Sequence, residues 1–374
     1  MCAAAASGAL QSLKLAPPGV PPRCALACCG PAHRVRSTHD HTSKDVTGQP
    51  RPGVSGSRRR TERDHRTLPS YSRALAAVLL LCLAVAGCGA AGGTGDRSPA
   101  TPTLVIGAIP DQDPQKLARL YGSVADRLST LLKVPVRYEP VTDYTAAVSL
   151  FRTGDLQLVW FGGLTGVQAR LQTPGAVPLV QRDIDDSFHS LFIGNRSAGL
   201  KPVTDVAGLA ELRGTRFTYG SQSSTSGYLM PAYFLDQAGV DPQRGFGGQP
   251  GLSGSHDKTI DLVASGSFEA GAVNEQVWLT RLAAQTIDTG KVEVLFRSPP
   301  YHDYHWLLSP RALEQFGPDF GQRVAEAFIG LDPANPDDAQ LLELFGAKRF
   351  VPTSAANYTQ VEEIGRQLGL VKTQ

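Results

Sequence analysis

The sequence predicts an α/β protein with two hinged lobes, each a mostly parallel sheet flanked by helices. From residue 103 onward, short apolar runs alternate with amphipathic stretches, the order that produces parallel sheets covered on both faces. The alternation occurs in two series, which indicates two lobes. A chain of 374 residues, 41% of them hydrophobic and 19% charged, is long enough for both. We expect lobe 1 to comprise residues 103–192 and 306–374, and lobe 2 to comprise residues 193–305.

Lobe 1 begins with five elements in the order strand, helix, strand, helix, strand. They are predicted at residues 104–109, 113–132, 134–139, 144–152 and 156–161. The long helix is supported by apolar residues that recur at helical spacing, and the shorter one ends before Gly154. Ligands of such sheets bind beyond the carboxyl ends of the strands. The loops that follow the strands are therefore candidate walls of a binding cleft.

Lobe 2 continues the alternation, and the end of the chain is mostly helical. Its elements are predicted at residues 216–219, 230–238, 257–264, 269–273 and 292–296. Helices are predicted at 310–316, 321–330, 336–345 and 357–368. The chain crosses between lobes near 190–195 and 304–309, and two such crossings form a hinge.

The first hundred residues have the composition of an export leader. Residues 1–57 are rich in Pro, Gly, Ser and Arg without apolar periodicity, so they are disordered or precede the true start, for which Val54 and Leu68 are candidates. Residues 58–87 contain an arginine-rich segment, a short apolar run and small residues, which is typical of a signal peptide. The run is too short for a stable spanning helix.

The last cysteine of the chain lies in a motif that indicates a lipid anchor. All six cysteines lie at or before position 88, and Val85-Ala86-Gly87-Cys88 resembles the bacterial lipoprotein box. That resemblance implies a lipidated Cys88, with residues 88–102 as a flexible tether on the outer face of the membrane. A plain signal peptide that ends near a cysteine is the alternative.

The charge of the exported part argues against a nucleic-acid partner. Residues 1–87 hold 12 basic and 4 acidic residues, whereas the remainder holds 24 and 30. The mature part is therefore mildly acidic, although the whole chain has a formal charge of +2.

A hydroxyl-rich run is the main candidate for a binding site. Gly220-Ser-Gln-Ser-Ser-Thr-Ser-Gly227 lies between a predicted strand and a helix. The first N–H groups of a helix have no intrahelical partner and carry the positive end of its dipole, and Ser and Thr add donors there. The run predicts an anion site, and an ordinary Ser-rich N-cap is the alternative.

Five motifs of the mature part occur in a characteristic order. They are Asp143-Tyr144, Leu158-Val-Trp-Phe-Gly162, Ser224-Thr-Ser-Gly227, Gly254-Ser-His-Asp257 and Asn274-Glu275. Together they resemble the phosphonate-type substrate-binding proteins of ABC importers. The resemblance implies a hinged periplasmic-binding-protein fold of type II, no enzymatic activity and no cofactor. It also implies an extracytoplasmic monomer that works with ABC permease and ATPase subunits. The segments 159–166 and 299–306 are most similar to a branch assigned to selenate binding.

The resemblance also implies ligand-binding residues. Ser224, Thr225 and Ser226 would hold the oxyanion, Tyr144 would donate its phenol, and His256 would donate from a ring nitrogen, more strongly when protonated. Packing or capping roles are the alternatives for Tyr144 and His256.

Further candidates carry less direct roles. Glu275 and Asp303 match acidic residues that accept from an amino group on the ligand, and a solvated helix-start acid is the alternative for Glu275. Phe188 stands where relatives have a donor Tyr, and His189 could compensate. Phe161 is a candidate contact, with core packing as its alternative.

Carboxylates bear on the choice of ligand. Sulfate and selenate carry no proton near neutral pH, so a carboxylate in a closed site repels them unless it is paired or protonated. Phosphonate, phosphite, phosphate and selenite can keep a proton that an acid accepts. A cleft acid such as Glu275 therefore favours these, and both the phosphorus and the selenate readings stay open.

Two other classes of function were weighed. A metal-ion-binding lipoprotein could use His189, His256, His302 and His305. A serine hydrolase could use Ser226, His256 and Asp303, although no Gly-x-Ser-x-Gly motif is present.

Overall fold

Two β-sheets flanked by helices organise residues 101–372, the part of the chain that the computed structural model describes. The strands are β1 (Leu104–Ala108), β2 (Val136–Tyr138), β3 (Leu158–Phe161), β4 (Val177–Arg182), β5 (Ser190–Asn195), β6 (Phe217–Tyr219), β7 (Gly251–Leu252), β8 (Ala270–Asn274), β9 (Val292–Arg297), β10 (His305–Leu308) and β11 (Phe350–Pro352). The predictions for the leader, the signal peptide and the lipidated Cys88 lie outside the described residues.

Ten α-helices cover the sheets within residues 101–372. They are α1 (Pro114–Leu132), α2 (Tyr144–Thr153), α3 (Gly163–Gln172), α4 (Met230–Gln237), α5 (His256–Ala264), α6 (Glu275–Ala283), α7 (Pro310–Phe316), α8 (Phe320–Ile329), α9 (Pro336–Phe345) and α10 (Thr359–Gln367). No helix in this part of the chain is both long and apolar enough to cross a membrane.

The predicted α/β architecture is confirmed, and the sheets are mixed in a regular way. The first sheet has the strand order β11-β4-β10-β3-β1-β2, and the second has the order β7-β6-β8-β5-β9. Strands β2, β1 and β3 pair in parallel, as do β7, β6 and β8, whereas β10 and β5 run antiparallel to both of their neighbours. Each of these two strands is the first that the chain enters after it crosses from the other sheet, and β11, which pairs antiparallel with β4, has the same direction as β10.

The segments that cross between the lobes lie a few residues before the predicted lobe boundaries. Strand β5 belongs wholly to the second sheet and β10 wholly to the first, so the crossing segments are 183–189 and 298–304. The expected boundary between residues 192 and 193 falls inside β5. The crossing segments pair with each other, because Phe188 and Tyr301 exchange both backbone hydrogen bonds, at 2.9 and 3.0 Å.

A buried ion pair fixes the start of the first crossing. The guanidinium of Arg182 donates to both carboxylate oxygens of Asp185, at 2.9 and 2.6 Å, and both side chains are nearly inaccessible to solvent. The same guanidinium lies 5.4 Å from the ring centre of Trp160, 5.7 Å from that of Phe188 and 5.0 Å from that of Tyr304. Pairing and aromatic contacts offset the cost of burying the charge.

The long helix α1 sets the position of the loop after β1. Asp113 caps the helix, and its side chain accepts hydrogen bonds from the N–H groups of Gln115 and Lys116, each at 3.0 Å. Its apolar face packs into the core of the first sheet, as the sequence periodicity predicts. The loop 109–113 is therefore held at the carboxyl end of β1, beside the second sheet's α5.

Candidate functional site

The hydroxyl-rich run forms a capped turn at the carboxyl end of β6. Residues Thr225–Leu229 make a π-helical turn that continues directly into α4. Ser224 is its N-cap, and the Ser224 hydroxyl accepts a hydrogen bond from the N–H of Gly227 at 3.0 Å. The cap leaves the N–H groups of Thr225 and Ser226 at the start of a helical segment, where they have no intrahelical partner. We call residues 220–229 the anion loop.

Four predicted site residues carry a buried polar atom without a hydrogen-bond partner in the protein. These atoms are Tyr144 Oη, Ser226 Oγ, His256 Nε2 and Asp303 Oδ2. Among residues 101–372 only two other side chains share this property, those of Thr173 and Trp306. Unpaired buried polar groups are costly and rare in native proteins. They are concentrated on four predicted site residues, from both lobes and the second crossing, which makes this cluster the candidate binding site.

Close approaches show that these segments converge. A Cβ atom on Gly162 would lie 3.2 Å from both Asp303 Oδ1 and Thr225 Oγ1, so glycine allows the end of β3 to meet both side chains. A Cβ atom on Gly227 would lie 3.0 Å from the His256 ring. Thr225 also accepts from the N–H of Leu164 at 3.1 Å, which joins the anion loop to the start of α3.

The ring of His256 is fixed as a neutral donor. Its Nδ1 accepts a hydrogen bond from the N–H of Asn274 at 3.3 Å, so the single proton of the neutral ring lies on Nε2, the unpartnered atom. Burial lowers the pKa of His256 to about 3. The protonated ring that was expected to be the stronger donor is therefore not formed near neutral pH in the ligand-free protein, because desolvation strongly disfavours the imidazolium.

Asp303 is the buried acid of the site. Its Oδ1 accepts a hydrogen bond from the N–H of Gly163 at 2.8 Å, whereas Oδ2 has no partner. Burial raises the pKa of Asp303 to about 7, although the Gly163 N–H and the Thr225 side chain oppose the shift. The carboxyl group therefore exchanges its proton near neutral pH. Burial also raises the pKa of Tyr144 well above its ordinary value, which keeps its phenol a donor.

Glu275, the other predicted acid, has a different environment. Its carboxylate accepts two hydrogen bonds from Arg297 of β9, at 2.5 and 2.9 Å. This pair is partly solvent-accessible, and the charge of Glu275 is already compensated. The structure thus leaves Asp303, and not Glu275, as the carboxyl group with an oxygen free to meet a ligand.

The remaining candidates line the crossings or the core. Phe188 lies edge-on to Tyr301 and Tyr304, with ring centres 6.3 and 5.5 Å away, and contributes no donor. His189 lies with Nδ1 2.6 Å from the carbonyl oxygen of Ser298, so this nitrogen donates to the second crossing. Phe161 is fully buried against Phe151 of α2, which indicates a core role.

Sequence reasoning missed two groups of polar residues around the site. One joins Tyr304, whose hydroxyl donates to Asp111 at 2.8 Å and accepts from the amide of Asn274 at 2.9 Å. The other joins Tyr301 and Ser190 to the anion loop. Both tyrosines occur in the segment 299–306 that the sequence singles out, but only the fold shows where their hydroxyls point.

Comparison with known proteins identifies the family. The family model for the periplasmic substrate-binding protein of phosphonate ABC transporters matches residues 106–358. A protein of Prochlorococcus marinus strain MIT 9301, named "Probable ABC transporter phosphite binding protein PhnD1", is 45% identical over 269 residues, which is 72% of this chain and 91% of that protein. The chain belongs to this family of ABC-transporter substrate-binding proteins.

Solved structures agree with the assignment. The structure of Prochlorococcus PhnD1 in complex with methylphosphonate is 46% identical, with a TM-score of 0.70, and the match covers 72% of this chain and 99% of that chain. A binding-protein component of a phosphonate ABC transporter from Pseudomonas aeruginosa, 18% identical with a TM-score of 0.62, shows the shared fold alone, over 71% of this chain and 85% of that one. The two-lobed periplasmic-binding-protein fold is confirmed.

Membership of this transport family makes the chain an extracytoplasmic substrate-binding protein and not an enzyme. The geometry of the hydrolase alternative agrees, because Nδ1 of His256 accepts from a backbone N–H. In a Ser-His-Asp triad that nitrogen must donate to the acid. For the metal alternative, no group of three or more His, Cys, Asp or Glu side chains within residues 101–372 is arranged to hold an ion.

Proposed function

We propose that this substrate-binding protein captures a small oxyanion of phosphorus, a phosphonate or phosphite, between its two lobes and delivers it to a membrane permease. The observation that carries the proposal is the cluster of unpartnered buried atoms on Tyr144, Ser226, His256 and Asp303. Three of these are donors and one is a carboxyl oxygen. This is the set that a tetrahedral oxyanion with one exchangeable proton requires.

The donors would surround the charged oxygens of the ligand. Tyr144 and Ser226 offer hydroxyls, and His256 offers Nε2–H without carrying a charge. The N–H groups at the start of the helical turn add the positive end of a helix dipole. Binding would satisfy each of these groups, which otherwise cost free energy in the buried state.

Asp303 would select for the proton. A phosphonate or phosphite monoanion donates its P–OH to ionised Asp303, and the dianion accepts from protonated Asp303, so one proton is shared either way. Because its pKa is about 7, Asp303 can take either part near neutral pH. Sulfate and selenate bring no proton, so they bind only while Asp303 itself is protonated. The buried carboxyl group of Asp303 therefore disfavours selenate. In this proposal Asp303 takes the role of the cleft acid that was first expected of Glu275.

The names of the relatives point to the same class of ligand. One is named for phosphite, and its solved structure contains methylphosphonate. A more distant relative, the phosphate-import protein PhnD of Mycolicibacterium smegmatis, is 26% identical over 204 residues, which is 52% of this chain and 63% of that protein. All three ligands are phosphorus oxyanions that keep a proton near neutral pH.

Closure of the lobes would retain the ligand. Among the described residues, three hydrogen bonds join the lobes beside the site. The N–H of His256 donates to the carbonyl oxygen of Asp111 at 3.0 Å, and the N–H of Asp113 donates to Asp257 Oδ2 at 2.9 Å. The N–H of Leu164 donates to Thr225 Oγ1 at 3.1 Å. A cavity of about 320 Å³ lies between the same segments and reaches Tyr144. We infer that the crossings 183–189 and 298–304 act as the hinge.

The proposal includes the anchor at Cys88. A lipidated cysteine followed by a flexible tether would keep the binding protein beside its permease, and the exported domain would act as a monomer. Replacement of Cys88 by Ser should abolish incorporation of labelled fatty acid and release the protein from the membrane.

A thermal-shift panel tests the ligand class. Methylphosphonate, aminoethylphosphonate, phosphite, phosphate, selenite, selenate and sulfate are each added to the purified protein at pH 7.5. A ligand at 100 times its dissociation constant stabilises the folded state by about 2.7 kcal/mol. We expect large shifts with methylphosphonate or phosphite and small shifts with sulfate and selenate. A shift with selenate alone would contradict the proposal.

A further inference from the structure

We propose that Tyr301 is a positioning residue for the oxyanion site, acting through Ser190 on the anion loop. The inference rests on the proposed function and deepens it. Tyr301 lies on the second crossing, is 2% exposed, and is held by its backbone against Phe188 of the first crossing. Its hydroxyl lies 2.7 Å from Ser190 Oγ, at the start of β5.

The direction of the hydrogen bonds follows from the acceptors. Ser190 Oγ donates to the carbonyl oxygen of Ser226 at 2.8 Å, and a carbonyl can only accept. A serine hydroxyl has one hydrogen, which this bond uses. The hydrogen between the two hydroxyls therefore comes from Tyr301, and the chain runs from Tyr301 to Ser190 to the Ser226 carbonyl. Successive hydrogen bonds of this kind polarise and strengthen one another.

This series of hydrogen bonds ends at a single peptide group. The peptide that joins Ser226 to Gly227 has its carbonyl held by Ser190 and its N–H held by the Ser224 hydroxyl at 3.0 Å. With both ends fixed, the peptide plane cannot rotate. This orientation fixes the backbone at Ser226, whose Oγ is a proposed ligand donor. The Tyr301 hydroxyl also lies beside the Ser226 side chain. Burial raises the pKa of Tyr301 well above its ordinary value, while contacts with the Ser190 and Ser226 side chains oppose the shift. The Tyr301 hydroxyl thus acts on the ligand through the geometry of the loop.

The position of Tyr301 gives this contact a second consequence. The crossing that carries it also carries Asp303, the proposed acceptor, two residues later. Movement of the crossing would shift the Tyr301 hydroxyl and the Asp303 carboxyl group together relative to the anion loop. The contact would therefore link the hinge to the donor geometry of lobe 2, so that the site is complete only when the crossing is in its closed position.

The pair Tyr301→Phe and Ser190→Ala tests the proposal by a double-mutant cycle. Dissociation constants for methylphosphonate and phosphite are measured by calorimetry for the wild type, both single variants and the double variant. We expect each single change to weaken binding about three- to tenfold, the range for loss of one neutral hydrogen bond. The double variant should be no weaker than the weaker single variant, because both changes interrupt the same chain.

Tyr219→Phe is the matched control. Tyr219 is a fully buried tyrosine that directly precedes the anion loop, and its ring packs against that of Tyr228, but its hydroxyl donates to the carbonyl oxygen of Pro242 at 3.0 Å and not to a residue of the loop. We expect its affinity to stay within twofold of the wild type even if its melting temperature falls. A general structural loss would affect Tyr219→Phe and Tyr301→Phe alike, and additive losses in the cycle would also overturn the positioning role.

The outcomes separate this inference from the proposed function. If the wild type binds methylphosphonate and Tyr301→Phe binds it within twofold, the positioning role is wrong and the oxyanion site stands. If the wild type binds none of the phosphorus oxyanions, the proposed function fails and this inference fails with it.

Discussion

The backbone N–H of Asn274 donates to Nδ1 of His256 across 3.3 Å, and this bond decides which ring nitrogen faces the site. Asn274 ends β8 and caps α6, so its N–H is fixed by the second sheet. The proton of the neutral ring is therefore held on Nε2. Burial lowers the pKa of His256 to about 3, so the ring is neutral near neutral pH in the ligand-free protein.

Replacement of His256 by Leu should weaken oxyanion binding at least tenfold, because a buried donor to a charged ligand is lost. The ratio of wild-type to variant affinity should stay constant between pH 5.5 and 8.5, since His256 does not titrate in that range. Calorimetry with methylphosphonate measures both. His302→Leu, a change at a half-buried histidine of the second crossing, is the control. A ratio that rises steeply below pH 6.5 would mean that His256 binds the ligand as a cation.

The buried carboxyl group of Asp303 should make the ligand-free protein lose stability as the pH rises. Its folded-state pKa of about 7 lies above the unfolded value of 3.8, so between these values the folded protein binds the additional proton. The free energy of unfolding therefore falls as the pH rises from about 4 to 7, by up to about 4 kcal/mol from this group. Asp303→Asn should lack this contribution.

Urea denaturation at pH 5 and pH 7.5 compares the two proteins. Relative to the wild type, Asp303→Asn should be more stable at pH 7.5 than it is at pH 5, because only the wild type loses unfolding free energy from this group as the pH rises. An equal difference at both pH values would show that Asp303 ionises as an ordinary surface acid does.

The interlobe bond to Asp257 should control ligand retention without contact to the ligand. Its Oδ2 accepts from the N–H of Asp113, and Arg281 of α6 holds its other oxygen at 3.4 Å. Asp257→Ala should raise the rate of ligand release about three- to tenfold, because the closed state loses one hydrogen bond. Stopped-flow displacement measures the rate.

Asp261→Ala is the control for this change. Asp261 lies one turn further along α5 and also pairs with Arg281, at 2.9 Å, but it makes no bond to lobe 1 within the described residues. Its release rate should match that of the wild type. If ligand release is accelerated equally in both variants, the lost ion pair with Arg281 is the cause, and the interlobe hydrogen bond is excluded as the cause.

The sequence predicted most elements of the fold because their patterns are local. The helix α1 and the strands β1 and β3 carry clear periodicities, and their observed bounds differ from the expected ones by a few residues. The strands β5 and β10 were not predicted, because their segments were interpreted as crossings between the lobes, and their antiparallel direction could not be predicted from periodicity either. Strand direction depends on where the chain enters a sheet, and an apolar run reads the same in either direction.

The site was predicted as a set of residues, but their chemistry depends on tertiary contacts. The hydroxyl-rich run and the motifs identified Tyr144, His256 and Asp303 as candidate site residues. The tautomer of His256, however, depends on Asn274, which lies 18 residues away. Glu275 and Asp303 look equivalent in the sequence. They differ because Arg297 pairs with one carboxylate, whereas burial beside Gly163 leaves an oxygen of the other unpartnered.

The most direct test of the account is the preference for methylphosphonate over sulfate in the wild type and in Asp303→Asn. Dissociation constants for both anions are measured by calorimetry at pH 8, where Asp303 is mostly ionised and repels an anion that brings no proton. We predict at least a hundredfold preference for methylphosphonate in the wild type, about the effect of a buried unpaired charge. In Asp303→Asn, which offers an amide donor at every pH, we predict that the preference narrows at least tenfold. An unchanged preference in the variant, or tighter binding of sulfate by the wild type, would contradict the account.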